Sequence, residues 1–108
     1  MKLALAMVFA FAVALPAHAK GNAETGKAKA AQVCAACHGP DGNKPSDPTQ
    51  PVLAGQHYDY LVRALTDYKI GRRNNPIMKG FAATLSKKDI EDLAAWFASQ
   101  KSSLHDQR

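Results

Sequence analysis

Between His57 and Ile70 the apolar residues Leu61, Leu65 and Tyr68 recur three or four positions apart, with Val62 beside them and Gly71 ending the run. That spacing predicts a helix with one buried face, closed by a glycine. The rule repeats near the end of the chain, where Ile90, Leu93, Ala94 and Phe97 share one helical face behind Ser86, with Asp89 three residues on as its capping partner. Earlier, Ala23 to Val33 is mostly Ala, Lys, Glu and Gln, strong helix formers behind a capping Asn22. No segment clearly alternates apolar and polar as a half-buried strand does. The pattern predicts an all-α chain with three main helices and loops.

The stretches outside these helices are uneven in kind. Residues Gly39 to Gly55 are rich in Pro, Gly and Asp and show no period, and a loop of that length inside a small domain is suspect unless it performs a task. The polar tail from Lys101 to Arg108 is expected to fray. Met1 to Ala19 joins a basic Lys2, an apolar run from Leu3 to Leu15, Pro16, and Ala17-His18-Ala19 as an A-x-A site, which reads as a cleaved secretory signal. Its apolar run is shorter than the ~20 residues that cross a bilayer. The expected mature chain is one domain over residues 20–108, exported to the periplasm and without stable membrane insertion. A domain of that size buries a modest core and usually needs a staple.

The candidate chemistry lies in Cys34-Ala35-Ala36-Cys37-His38, a C-x-x-C-H. Two thiols about one helical turn apart can bind a haem covalently from one side, and the adjacent histidine then sits under the iron. A structural zinc would need four ligands, and beyond these three residues the chain offers His18, His57 and His105 with no second cysteine pair. A thioredoxin-like dithiol wants a strand before it, whereas the preceding residues look helical. One disulfide is the ordinary reading of two cysteines in an exported chain, and His38 argues against it. Haem would also supply the missing staple, with the 39–55 loop wrapped around its edge. Met1 and Met7 leave with the signal, so Met78 remains as the candidate sixth ligand, in a loop punctuated by Gly71, Asn74, Asn75, Pro76 and Gly80. A loop methionine alone is more often packing. His57 is a fallback ligand, although a surface or capping histidine is the commoner case.

These residues, with Pro51 to Gln56, Tyr60-Leu61, Gly71, Met78 and Leu85 to Phe97, resemble the class I c-type cytochromes, especially the small bacterial monohaem type and single domains of dihaem relatives. The resemblance implies the small cytochrome c fold around one covalent haem c, held by Cys34 and Cys37, with His38 and Met78 as axial iron ligands. It also implies that the Pro51 carbonyl accepts a hydrogen bond from the other ring nitrogen of His38. Family members cross their first and last helices at a glycine and an aromatic, and Gly26 and Trp96 look like that pair. Ala30 departs from the pattern, standing where many relatives carry a larger aromatic, so the crossing is expected to be looser or compensated by Trp96 and Phe97. Trp96 is read as core rather than as an electron relay. Gln56, Tyr60, Arg63, Asn74 and Asn75 are candidate donors to the haem propionates.

The implied function is reversible one-electron transfer between periplasmic redox proteins, such as a dehydrogenase or quinol-oxidising complex and a terminal oxidase, with no substrate transformed. A reactive haem protein binding gas or reducing peroxide, and a haem subunit fixed in a larger enzyme, are the alternatives. Charge bears on the partners. The chain is formally +5, and Lys69, Arg72, Arg73, Lys79, Lys87 and Lys88 lie around the methionine segment. A positive rim there would steer acidic partner surfaces, although a plain solvated basic face is the competing reading. Nucleic acid is not expected for an exported chain with no binding motif.

Overall fold

The computed structural model describes residues 4, 6–12 and 21–104. They contain five helices and no strand: α1 (Ala23–Val33), α2 (Ala35–His38), α3 (Tyr58–Ile70), α4 (Pro76–Ala82) and α5 (Lys87–Ser99). The expected cleavage site lies outside the described residues. No helix among those described is long and apolar enough to cross a membrane.

Of the three main helices, α1 and α5 start behind the capping residues that the sequence predicts. Asn22 Oδ1 accepts from the Thr25 N–H at 3.0 Å, and Ser86 and Asp89 form a reciprocal capping box. Such bonds satisfy N–H groups that a helix start leaves without partners. His57 is the N-cap of α3 rather than its first residue, and Gly71 closes that helix in the left-handed region at φ 86°.

α1 crosses α5, and α3 packs against α5 beside it. The crossing depends on a missing side chain. A Cβ on Gly26 would lie 1.9 Å from the Asp92 carbonyl oxygen and 3.0 Å from Trp96 Cβ. Ala30, one turn on, is fully buried in a cluster with Leu61, Leu85, Ile90, Leu93, Ala94 and Phe97. Of the two outcomes expected at Ala30, the structure has the compensated one: its methyl is enclosed, Phe97 belongs to the same cluster and Trp96 packs against it. Fully burying a Leu or Phe contributes about 1.5–3 kcal/mol each, so this small core holds the three helices in register.

Asp92 is a charged member of the same crossing. It is 2% exposed, accepts from the Asn22 backbone N–H at 2.7 Å and pairs with Lys88 at 2.5 Å. α1 is thus tied to α5 by a buried carboxylate as well as by apolar contact.

Two expectations are corrected. The segment holding Met78 is not a loop but helix α4, with Pro76 in its first turn and Asn75 Oδ1 accepting from the Ile77 and Met78 N–H groups. Proline suits a first helical turn, where its missing N–H costs nothing. The tail does not fray at its start: Asn43 donates to the Lys101 carbonyl at 2.9 Å and accepts from the Ser103 N–H at 2.6 Å. Polarity signals fraying only where nothing binds the backbone.

Candidate functional site

α1 ends at Cys34, whose backbone N–H still donates to the Ala30 carbonyl. One further turn, α2, then carries Cys37 and His38, and Gly39 ends it at φ 85°. The two cysteines are half-buried and unpaired, whereas His38 is only 6% exposed. The 39–55 loop folds back on this turn, with the Ser46 N–H donating to the Cys37 carbonyl at 2.9 Å and the Lys44 N–H to the His38 carbonyl at 3.2 Å. The motif is thus clamped from both sides.

His38 is oriented by its own ring. Nδ1 lies 3.0 Å from the Pro51 carbonyl oxygen. A carbonyl can only accept, so Nδ1 carries the proton, and in the neutral ring Nε2 keeps a free lone pair. That is the state a metal-binding imidazole requires.

The ring forms part of the wall of a cavity of about 460 Å³. Cys34, Cys37 and Met78 line the same cavity, together with apolar side chains of α1, α3, α4 and α5 such as Val33, Leu61, Leu65, Phe81, Leu93 and Phe97. A largely apolar slot with two thiols, an imidazole with a free lone pair and a thioether on its walls fits a covalently held haem. Burial, aided by the nearby Cys37 thiol, pushes the Cys34 thiol up to about 11. A thiol so raised is mostly protonated near neutrality and is a poor redox nucleophile, which weakens the dithiol reading. Among the described residues no three His, Cys, Asp or Glu side chains converge as a structural zinc would need.

The other candidates divide. Gln56, Tyr60 and Asn75 are on the cavity wall, while Arg63 and Asn74 are not; Arg63 extends into solvent and pairs with Asp67 at 3.9 Å. His57 is exposed and away from the cavity, so the fallback ligand has no geometric support. His105 lies outside the described residues. Trp96 is also off the wall: its Nε1–H donates to the Pro40 carbonyl at 3.2 Å, and Lys27 sits 5.5 Å over its ring.

The basic rim is narrower than its sequence suggests. Lys87 and Lys88 pair along α5 with Glu91 and Asp92, and Lys69 donates to the Leu85 carbonyl. Arg73, by contrast, reaches the cavity wall, which residue order alone does not signal. Tyr68 and Ile77 also line it; for Tyr68 the apolar stripe of α3 was the available sign.

Comparison with known proteins agrees with this geometry. The family model described as cytochrome c matches residues 23–101. A cytochrome c4 of Pseudomonas aeruginosa is 47% identical over 103 residues, covering 95% of this chain and 50% of that protein. A cytochrome c4 of Stutzerimonas stutzeri is 42% identical over 112 residues, covering 95% of this chain and 52% of its own length. The crystal structure of reduced recombinant cytochrome c4 from Pseudomonas stutzeri superposes with a TM-score of 0.71 at 45% identity, covering 78% of this chain and 48% of the other. The chain therefore spans about half the length of the curated relatives it matches. With the C-x-x-C-H turn on an apolar cavity and the family model over most of its length, the chain belongs to the cytochrome c family, whose cofactor is covalently bound haem c.

Proposed function

We propose that this chain is a one-electron carrier in which Cys34 and Cys37 hold the haem by thioether bonds and His38 and Met78 ligate its iron. The observation that carries the reading is the buried His38, with Nδ1 bonded to the Pro51 carbonyl at 3.0 Å, on a cavity shared with both cysteines and Met78. Bound there, haem c supplies a ferrous/ferric couple. Pro51 fixes the plane of the imidazole and strengthens its donation. Met78 offers a thioether, a weaker donor to ferric iron than an imidazole, which favours a higher potential. Asn75 holds the first turn of α4 and with it the backbone of Met78. The apolar side chains keep water from the ring, and no substrate bond is made or broken.

The leader-like residues 1–19 support a periplasmic setting. Arg72, ahead of the methionine helix, and Lys79, within it, are exposed, and with Arg73 they favour an acidic redox partner, a dehydrogenase or a quinol-oxidising complex on one side and a terminal oxidase on the other.

A filled sixth position separates this reading from a gas-binding one. Purified holoprotein should take up and release one electron per chain reversibly, and its reduced form should leave carbon monoxide unbound. Rapid carbon monoxide binding near neutral pH would transfer the proposal to the reactive-haem alternative.

A further inference from the structure

The Pro51 carbonyl that orients His38 belongs to an exposed residue that has no N–H of its own, so neither burial nor its own donor fixes it in place. Its position is set by the backbone around it. The bonds before Pro51 run from Gln50 to Ser46 and from Ser46 to the Cys37 carbonyl, so they close on the cysteine turn itself. After Pro51, the Leu53 and Ala54 N–H groups both donate to the Gly42 carbonyl, at 2.8 and 3.3 Å. Two residues from Gly42, the Lys44 N–H donates to the His38 carbonyl. Asn43 stands between them, flanked by one residue that holds the Pro51 segment and another that holds His38.

The Asn43 side chain reaches out of this loop to the rest of the fold. Its Nδ2 donates to Asp41 Oδ2 at 3.0 Å and to the Lys101 carbonyl at 2.9 Å, and its Oδ1 accepts from the Ser103 N–H at 2.6 Å. A carbonyl accepts and an N–H donates, so the two tail contacts admit one orientation of the amide. The tail also covers the far end of the Pro51 segment, where a Cβ on Gly55 would lie 2.9 Å from Ser102 Cβ. Residues 101–103, carried by α5, therefore bridge residues 43 and 55 on either side of Pro51. Asn43 itself is not on the cavity wall, and anything it does for the site it does through His38 and Pro51.

We propose that Asn43 is a positioning residue for the iron-ligating histidine, holding the Pro51 carbonyl on His38 Nδ1 by fastening the 39–55 loop to the tail behind α5; the proposal rests on the haem reading. Without the clamp, the Gly42 and Pro51 segments lose their tie to α5. The bond from Nδ1 to the carbonyl then opens more often, the imidazole turns more freely, and its Nδ1 proton meets water.

The test follows that proton. In reduced holoprotein the exchange of the His38 ring N–H with deuterium is measured by NMR against that of the Leu93 amide, which reports on the core of α5 because Leu93 is 1% exposed. Haem content is recorded in each sample. Asn43→Ala should raise the ratio of the two rates about tenfold, the scale of one lost hydrogen bond. Asp92→Ala, which weakens the α1–α5 crossing instead, should leave the ratio unchanged. An unchanged ratio in Asn43→Ala, or an equal rise in Asp92→Ala, would overturn the role of Asn43 and leave the haem reading standing. If Asn43→Ala does not fold, Ser103→Pro decides: it removes one N–H from the clamp and leaves the Asn43 side chain in place, so a smaller rise is expected and no rise counts against the proposal. Wild-type protein that carries no haem would overturn the haem reading and this proposal with it.

Discussion

A carbonyl oxygen accepts hydrogen bonds and never donates them, so the contact between His38 and Pro51 selects one tautomer without any charged neighbour. At Asp92 a charged neighbour does take part. Burial raises its carboxyl pKa, but the Lys88 ammonium and the Asn22 N–H outweigh burial and hold it below the ordinary carboxylate range. A group whose pKa is lower in the folded chain stabilises the fold above its unfolded pKa, about 4, and that contribution is lost as pH falls through the depressed value. Asp92→Ala leaves the Asn22 N–H without its acceptor and should cost about 1–3 kcal/mol near neutrality. Thermal melts of wild type and Asp92→Asn between neutrality and pH ~3 check the sign, since by linkage the wild type should lose more of its stability on acidification than the variant. Parallel curves would show that Asp92 contributes nothing through its charge.

At the scale of elements, the α1–α5 crossing depends on Gly26. Gly26→Ala would press a methyl onto the Asp92 carbonyl, and forcing the helices apart should cost about 1–3 kcal/mol. Chemical denaturation of the holoprotein measures this, and a change within about 0.5 kcal/mol, the range of an ordinary surface substitution, would mean that the helices are not in close contact there. Gly26 was legible because a glycine amid strong helix formers is costly unless something packs on it. Gly21 makes an equally close approach, with a Cβ 2.2 Å from the Glu91 backbone, yet it lies outside the helical run and carries no such sign. The three main helices were legible from period and caps. α4 was not, because seven residues containing a glycine hold too few turns to show a period, although Asn75-Pro76 was an available start signal. The clamp of Asn43 on the tail joins residues 58 positions apart, beyond the reach of any local pattern.

For the whole molecule, the fold brings together residues that the chain keeps apart: the cysteine turn, the Pro51 loop, the aromatic face of α3 and the methionine of α4 all meet on one cavity. Cys34, Cys37 and His38 were readable because their chemistry requires adjacency. Met78 was readable by elimination, as the methionine left once Met1 and Met7 are set aside. Arg73 was not, since its place on the wall depends on where α3 and the turn after it meet. The central claim is that His38 and Met78 ligate one haem iron, and the visible spectrum of the oxidised holoprotein, wild type against Met78→Ala, tests it most directly. The account predicts a weak far-red ferric band of sulfur–iron ligation in the wild type and its loss in the variant, with the haem still attached through both cysteines. A wild-type spectrum without that band, or a band that survives the substitution, would contradict it.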